Sequence, residues 1–93
     1  MASSNSTMIH KLQRAINDKF NQKLLYNTQQ FYSEDQQRTV TKYVLKRAIF
    51  QPETGKNRNI EIFGSYSQIQ IVLYLRDMWY ELNGWEVPTD NEI

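Results

Sequence analysis

Apolar residues recur every three or four positions from Met8 to Leu24. Met8, Ile9, Leu12, Ala15, Ile16, Phe20 and Leu24 share one side of a helical wheel, and Lys11, Arg14, Asn17, Asp18, Asn21 and Gln22 take the other. This period predicts an amphipathic helix over residues 8–25. Ser6 or Thr7 stands where a hydroxyl would cap its first turn. Ahead of it, residues 1–7 form a small, polar leader. From Tyr26 to Arg38 the period dissolves into Asn, Thr, Gln, Ser and Asp around Phe31 and Tyr32. That stretch predicts a loop pinned by two aromatics.

A second pattern begins at Thr39. The run Thr39-Val40-Thr41-Lys42-Tyr43-Val44-Leu45 is rich in β-branched and aromatic residues and predicts a strand over 39–50. Its alternation is imperfect, because Leu45 and Ile49 share a face with Arg47, and a helix is the competing reading. Gln51 to Asn57 contains Pro52 and Gly55 and has the chemistry of a turn. Asn59-Ile60-Glu61-Ile62-Phe63 then alternates cleanly, so the two runs predict a β-hairpin.

The third pattern is the most apolar. After a break at Gly64 to Ser67, Ile71, Leu75, Met78 and Leu82 form a helical stripe flanked by Val72 and Trp79, and Gly84 and Pro88 follow it. Ser65 with Gln68, and Ser67 with Gln70, have the spacing of a capping box. Ile69, Ile71, Leu73 and Leu75 also alternate, so a strand competes for 68–75. Pattern length and the glycine stop favour the helix. The predicted fold is a small single α+β domain over residues 8–88, with an acidic tail over 89–93. It has an N-terminal helix, a two-stranded antiparallel hairpin, and a C-terminal helix packed on the sheet.

Composition narrows the function classes. The chain has 93 residues and no cysteine, which removes disulfides, thiolate zinc sites and Cys nucleophiles. No apolar run reaches the roughly 18 residues of a membrane span, and the N-terminal residues lack the basic and apolar regions of a secretory signal, so a cytoplasmic location is expected. Seventeen residues are Asn or Gln and three are Ala. By analogy alone, such a chain fits a bacterial or mobile-element accessory protein. The net charge of +1 conceals an uneven spread. Residues 1–34 sum to +2, residues 35–64 to +3 and residues 65–93 to −4.

Candidate chemistry is sparse. His10 is the single histidine and has no nucleophile or orienting group near it in sequence. Asp77 and Glu81 share a helix face, but paired carboxylates need a cleft to act as acid and base or to hold a cation. No catalytic residues, cofactor or metal are therefore expected, and neither a membrane partner nor a small-molecule substrate is evident. Two binding surfaces remain. Ile69, Leu73, Tyr74, Arg76, Tyr80 and Trp85 have the composition of an interface centre and predict a non-enzymatic protein-interaction domain, self-associating as a homodimer through the 69–82 helix. The alternative is a nucleic-acid-binding accessory protein that uses a basic hairpin over 42–58, with Lys42, Lys46, Arg47, Lys56 and Arg58 on the phosphates.

Overall fold

In a computed structural model, which describes residues 4–88, the chain is α+β, with two helices and a three-stranded antiparallel sheet. The order is α1 (Ser4–Phe20), β1 (Leu24–Ser33), β2 (Arg38–Gln51), β3 (Lys56–Ser65) and α2 (Gln68–Leu82). The strands lie in the order β1-β2-β3. Both helices pack on one face of the sheet and against each other. Ile9 and Ile16 of α1, Leu24 of β1, Leu45 of β2, and Ile71 and Leu75 of α2 form one fully buried core.

The first helix starts at Ser4, not at residue 8, so Ser6 and Thr7 lie inside it. It ends at Phe20, not at 25. Asn21 and Lys23 take left-handed backbone conformations, with φ of 52° and 57°, and turn the chain back on itself. The reversal carries Leu24 into the core from β1, so it extends the helical stripe without being helical. Asn17 fixes the return. Its Oδ1 accepts the Leu24 N–H at 2.7 Å, its Nδ2 donates to the Leu24 carbonyl at 3.0 Å, and Gln13 Nε2 donates to the same carbonyl at 2.8 Å.

Residues 26–38 are not a loop. Most of them form β1, which pairs with β2 from Leu24↔Arg47 to Ser33↔Arg38, and the sheet has three strands where the sequence predicts two. Only the first part of β1 lies beneath the helices. Beyond Tyr26 both faces are largely exposed, so nothing imposes a period of two on its side chains.

The hairpin of β2 and β3 forms as the sequence predicts, with wider bounds, and is antiparallel from Tyr43↔Ser65 to Gln51↔Lys56. A bulge opposite Leu45 and Lys46 inserts one extra residue in β3, and it allows Ile62 and Phe63 both to pack against the core. Phe63 stacks on Tyr74 of α2, with centroids 4.5 Å apart.

Residues 68–75 are helical. The expected capping boxes do not form. Ser67 occupies the N-cap position with extended backbone but makes no side-chain cap bond, and Gln68 Nε2 reaches across to the Tyr26 hydroxyl at 3.3 Å. The other end of α2 closes as a Schellman motif. Gly84 has φ of 76°, its N–H donates to the Glu81 carbonyl, and the Trp85 N–H donates to the Tyr80 carbonyl. The Trp85 ring then sits on Tyr80 at 5.7 Å, the apolar contact this motif favours. The predicted tail over 89–93 lies outside the described residues.

Candidate nucleic-acid interface

Strand register decides which side chains meet. Leu24, Tyr26, Leu45, Tyr43 and Phe63 face the helices, so the alternate positions face away from them. On β2 the outward set is Arg38, Val40, Lys42, Val44, Lys46, Ala48 and Phe50. Beside it on β1 stand Leu25, Asn27, Gln29 and Phe31, and on β3 stand Asn57, Asn59, Glu61 and Gly64. Neither helix covers this face. It therefore presents three cations, the Glu61 carboxylate, four amide side chains (Asn27, Gln29, Asn57 and Asn59) and exposed aromatic rings.

Val44 is fully buried although it faces outward. Its neighbour across the sheet is Gly64, and an ion pair crosses above that glycine: Lys42 Nζ lies 3.6 Å from Glu61 Oε2. A Cβ on Gly64 would meet Glu61 Oε2 at 2.8 Å and Lys42 Cε at 2.9 Å. The missing side chain thus lets both chains lie across Gly64, beside Val44, with their charged ends at the surface.

The five basic residues expected on the hairpin do not share a face. Lys42 and Lys46 face outward. Arg47 pairs with Leu24 on the helix side, where its Nη2 donates to Gln22 Oε1 at 2.9 Å and its Nε is buried without a hydrogen-bond partner. Lys56 and Arg58 lie near the far tip, paired with Gln51 and Ile49, in register with the helix side. The sequence reading missed Arg38, Phe31 and Tyr66. Phe31 and Tyr66 meet edge to face at 6.1 Å, and they are 43% and 63% exposed. The alternation Arg38-Val40-Lys42-Val44-Lys46 was the available signal for Arg38.

The expected α2 interface is divided. Tyr74 is used inside the fold against Phe63. Ile69, Leu73, Arg76 and Tyr80 recur at spacings of four, three and four, on the side of α2 away from Ile71 and Leu75. The segment after α2 folds back over part of this stripe. Trp85 covers Tyr80, and Arg76 Nη2 donates to the Pro88 carbonyl at 3.3 Å and pairs with Asp77 Oδ1 at 3.0 Å. Ile69 remains 43% exposed, with Leu73 half-buried beside it. Trp85, still 53% exposed, also meets Trp79, which touches Phe20, and Lys19 lies 5.4 Å from the centroids of both of these rings. Lys19 Nζ is further held by Asn83 Oδ1.

The remaining polar candidates do not assemble a reaction centre. His10 is exposed with its ring 5.6 Å from Tyr26. Asp77 lines a shallow recess of about 220 Å³ with Phe63, Gln70, Leu73 and Tyr74, whereas Glu81 stands outside it. A concavity of about 550 Å³ runs along Thr7, His10, Lys11, Arg14, Ala15 and Asp18, but it takes its lining from α1 alone. Among the described residues no three His, Asp or Glu side chains come together in a way that suits a metal ion, and no helix is long and apolar enough to cross a membrane. The chain matches no protein-family model, no curated protein and no solved structure.

Proposed function

We propose that this chain is a non-enzymatic nucleic-acid-binding domain that lays the open face of its sheet against the phosphate backbone. The observation that carries this reading is the outward row of β2, where Arg38, Lys42 and Lys46 alternate with Val40, Val44 and Ala48 on a face without a covering helix. Such a row sets cations four residues apart, at a regular interval of about 13 Å along the strand. Asn27 and Gln29 add groups that read base edges, and Phe31 and Tyr66 add rings for stacking. The occupant that suits this face is a polyanion. A second copy of the same face would set Lys42 and Lys46 against their own kind. Of the acidic residues, Asp77, Glu81 and Glu86 lie on or just after α2, in the helical layer, whereas Glu61 stands on the sheet face against Lys42 and Glu34 and Asp35 lie in the turn before Arg38.

The test is affinity against salt. Three phosphate contacts predict that log K falls with log salt at a slope of roughly two to three. Replacing Arg38 and Lys46 jointly by Gln is expected to lower affinity on the order of tenfold at low salt and to reduce the slope by one to two. Lys42 is left in place because Glu61 holds it. Absent or salt-insensitive binding of the unaltered chain rejects the proposal.

A second reading rests on the exposed end of the α2 stripe, where Ile69 and Leu73 lie uncovered by the returning segment. It assigns self-association to this patch. Leu73→Glu is then expected to halve the solution mass while leaving the circular dichroism unchanged. A monomeric mass for the unaltered chain at high concentration sinks this reading.

A further inference from the structure

The sheet is not equally wide along its length. β3 ends opposite Tyr43, whereas β2 continues to Arg38 paired only with β1. Hydrogen bonding along a strand alternates between its two sides. The Ala48 N–H donates to the Lys23 carbonyl on the β1 side, so even-numbered residues of β2 bond toward β1 and odd-numbered ones toward β3. Thr39 and Thr41 therefore direct their backbone N–H and C=O groups to the edge that β3 leaves open. This edge is not flat. Gln36, Arg38, Thr39, Val40, Thr41, Tyr43 and Tyr66 enclose a mainly polar recess of about 300 Å³.

We infer that this recess is a binding site for one unpaired nucleotide, so that the domain takes single-stranded rather than duplex nucleic acid. The inference rests on the nucleic-acid reading above and specifies its substrate. The recess is too short for an added β-strand yet has room for one base with its sugar. Its wall offers what a base edge requires: the backbone groups of Thr39 and Thr41, with the hydroxyl groups of those residues. Tyr66, largely exposed, offers a ring for stacking, and Phe31 props that ring edge-on from the outer face of the sheet. Arg38 supplies the charge for the phosphate. Its Nε donates to Gln36 Oε1 at 2.9 Å, which fixes the guanidinium at the recess. Lys42 and Lys46 continue the row along β2, so a strand leaving the recess meets further cations. A base held in a duplex keeps its edge paired and its faces stacked, and it reaches neither the backbone of Thr39 nor the Tyr66 ring.

The test compares the full chain and its variants by fluorescence anisotropy on a labelled single strand of about 12 nucleotides and on a duplex of the same sequence. The single strand is expected to bind more tightly. Tyr66→Ala is expected to weaken it by about 5- to 100-fold, the loss of one stacked base. Tyr66→Phe, which keeps the ring, retains binding, and the exposure of Tyr66 means both variants should fold. Tighter binding of the duplex, or a Tyr66→Ala variant with unchanged single-strand affinity, overturns the unpaired-nucleotide site but leaves the sheet-face reading standing. Salt-independent or absent binding of both probes overturns both.

Discussion

Replacing Leu45 by Ala is expected to lower the melting temperature by roughly 10–30 °C. Leu45 sits on the central strand, opposite Tyr26 on one side and Phe63 on the other, and is fully buried beneath both helices. Truncating a buried leucine costs about 2–5 kcal/mol, the upper end applying where the surroundings cannot close the cavity. Here the sheet is a hydrogen-bonded platform and the helices are fixed by Ile9, Ile16, Ile71 and Leu75, so little collapse is expected. A domain of this size holds a total of about 5–15 kcal/mol, and each kilocalorie lost moves the midpoint by about 4–8 °C. Urea denaturation should show a lower midpoint with an unchanged slope. Leu25→Ala, on the uncovered face, is the matched control and should shift stability by much less. Equal effects at both positions would show that the outer face is covered too.

Asn17→Ala is the second large effect, on the order of 1–3 kcal/mol. Asn17 acts as one residue of a missing strand, because it both accepts from and donates to the backbone of Leu24 at the outer edge of β1. Without it, the Leu24 N–H loses its acceptor, while the carbonyl keeps Gln13. Gln13→Ala should therefore cost less than Asn17→Ala. Hydrogen exchange resolves the point at one atom: the Leu24 amide should exchange faster in Asn17→Ala and near its original rate in Gln13→Ala. The same bonds occupy the start of an exposed sheet edge, so the Asn17 variant is also expected to aggregate more readily.

These two residues illustrate what was legible in the sequence. Ile9, Leu12, Ile16 and Phe20 announce α1 because a helix against a core must bury a stripe at this spacing. Leu24 fits the same spacing, and only the left-handed turn at Asn21 and Lys23 separates it; Asn21 is of a type that enters this conformation readily, and Lys23 is not. The strand β1 was invisible because its exposed residues answer to no burial constraint. Losing β1 also hid part of the proposed binding face, since Phe31, Gln29 and Asn27 join Lys42 and Lys46 only through strand pairing. Lys42 and Lys46 were legible as a basic hairpin, but Arg47 was grouped with them by nearness in sequence. In a strand, adjacent residues point to opposite faces, which sends Arg47 toward α1 and Gln22. Tyr66 lay in what looked like a mere break before α2, and its pairing with Phe31 spans 35 positions of chain.

The backward fold of residues 84–88 has a practical meaning for handling this protein. With Trp85 on Tyr80 and the Pro88 carbonyl bound by Arg76, the chain leaves the domain from the helical layer, a full layer removed from Lys42 and Lys46. A dye, an affinity handle or a solid support joined there would stand behind the domain and leave the sheet face clear. Arrays and single-molecule tethers made this way would all present the same side to solution, so measured on-rates would need no correction for molecules attached face down.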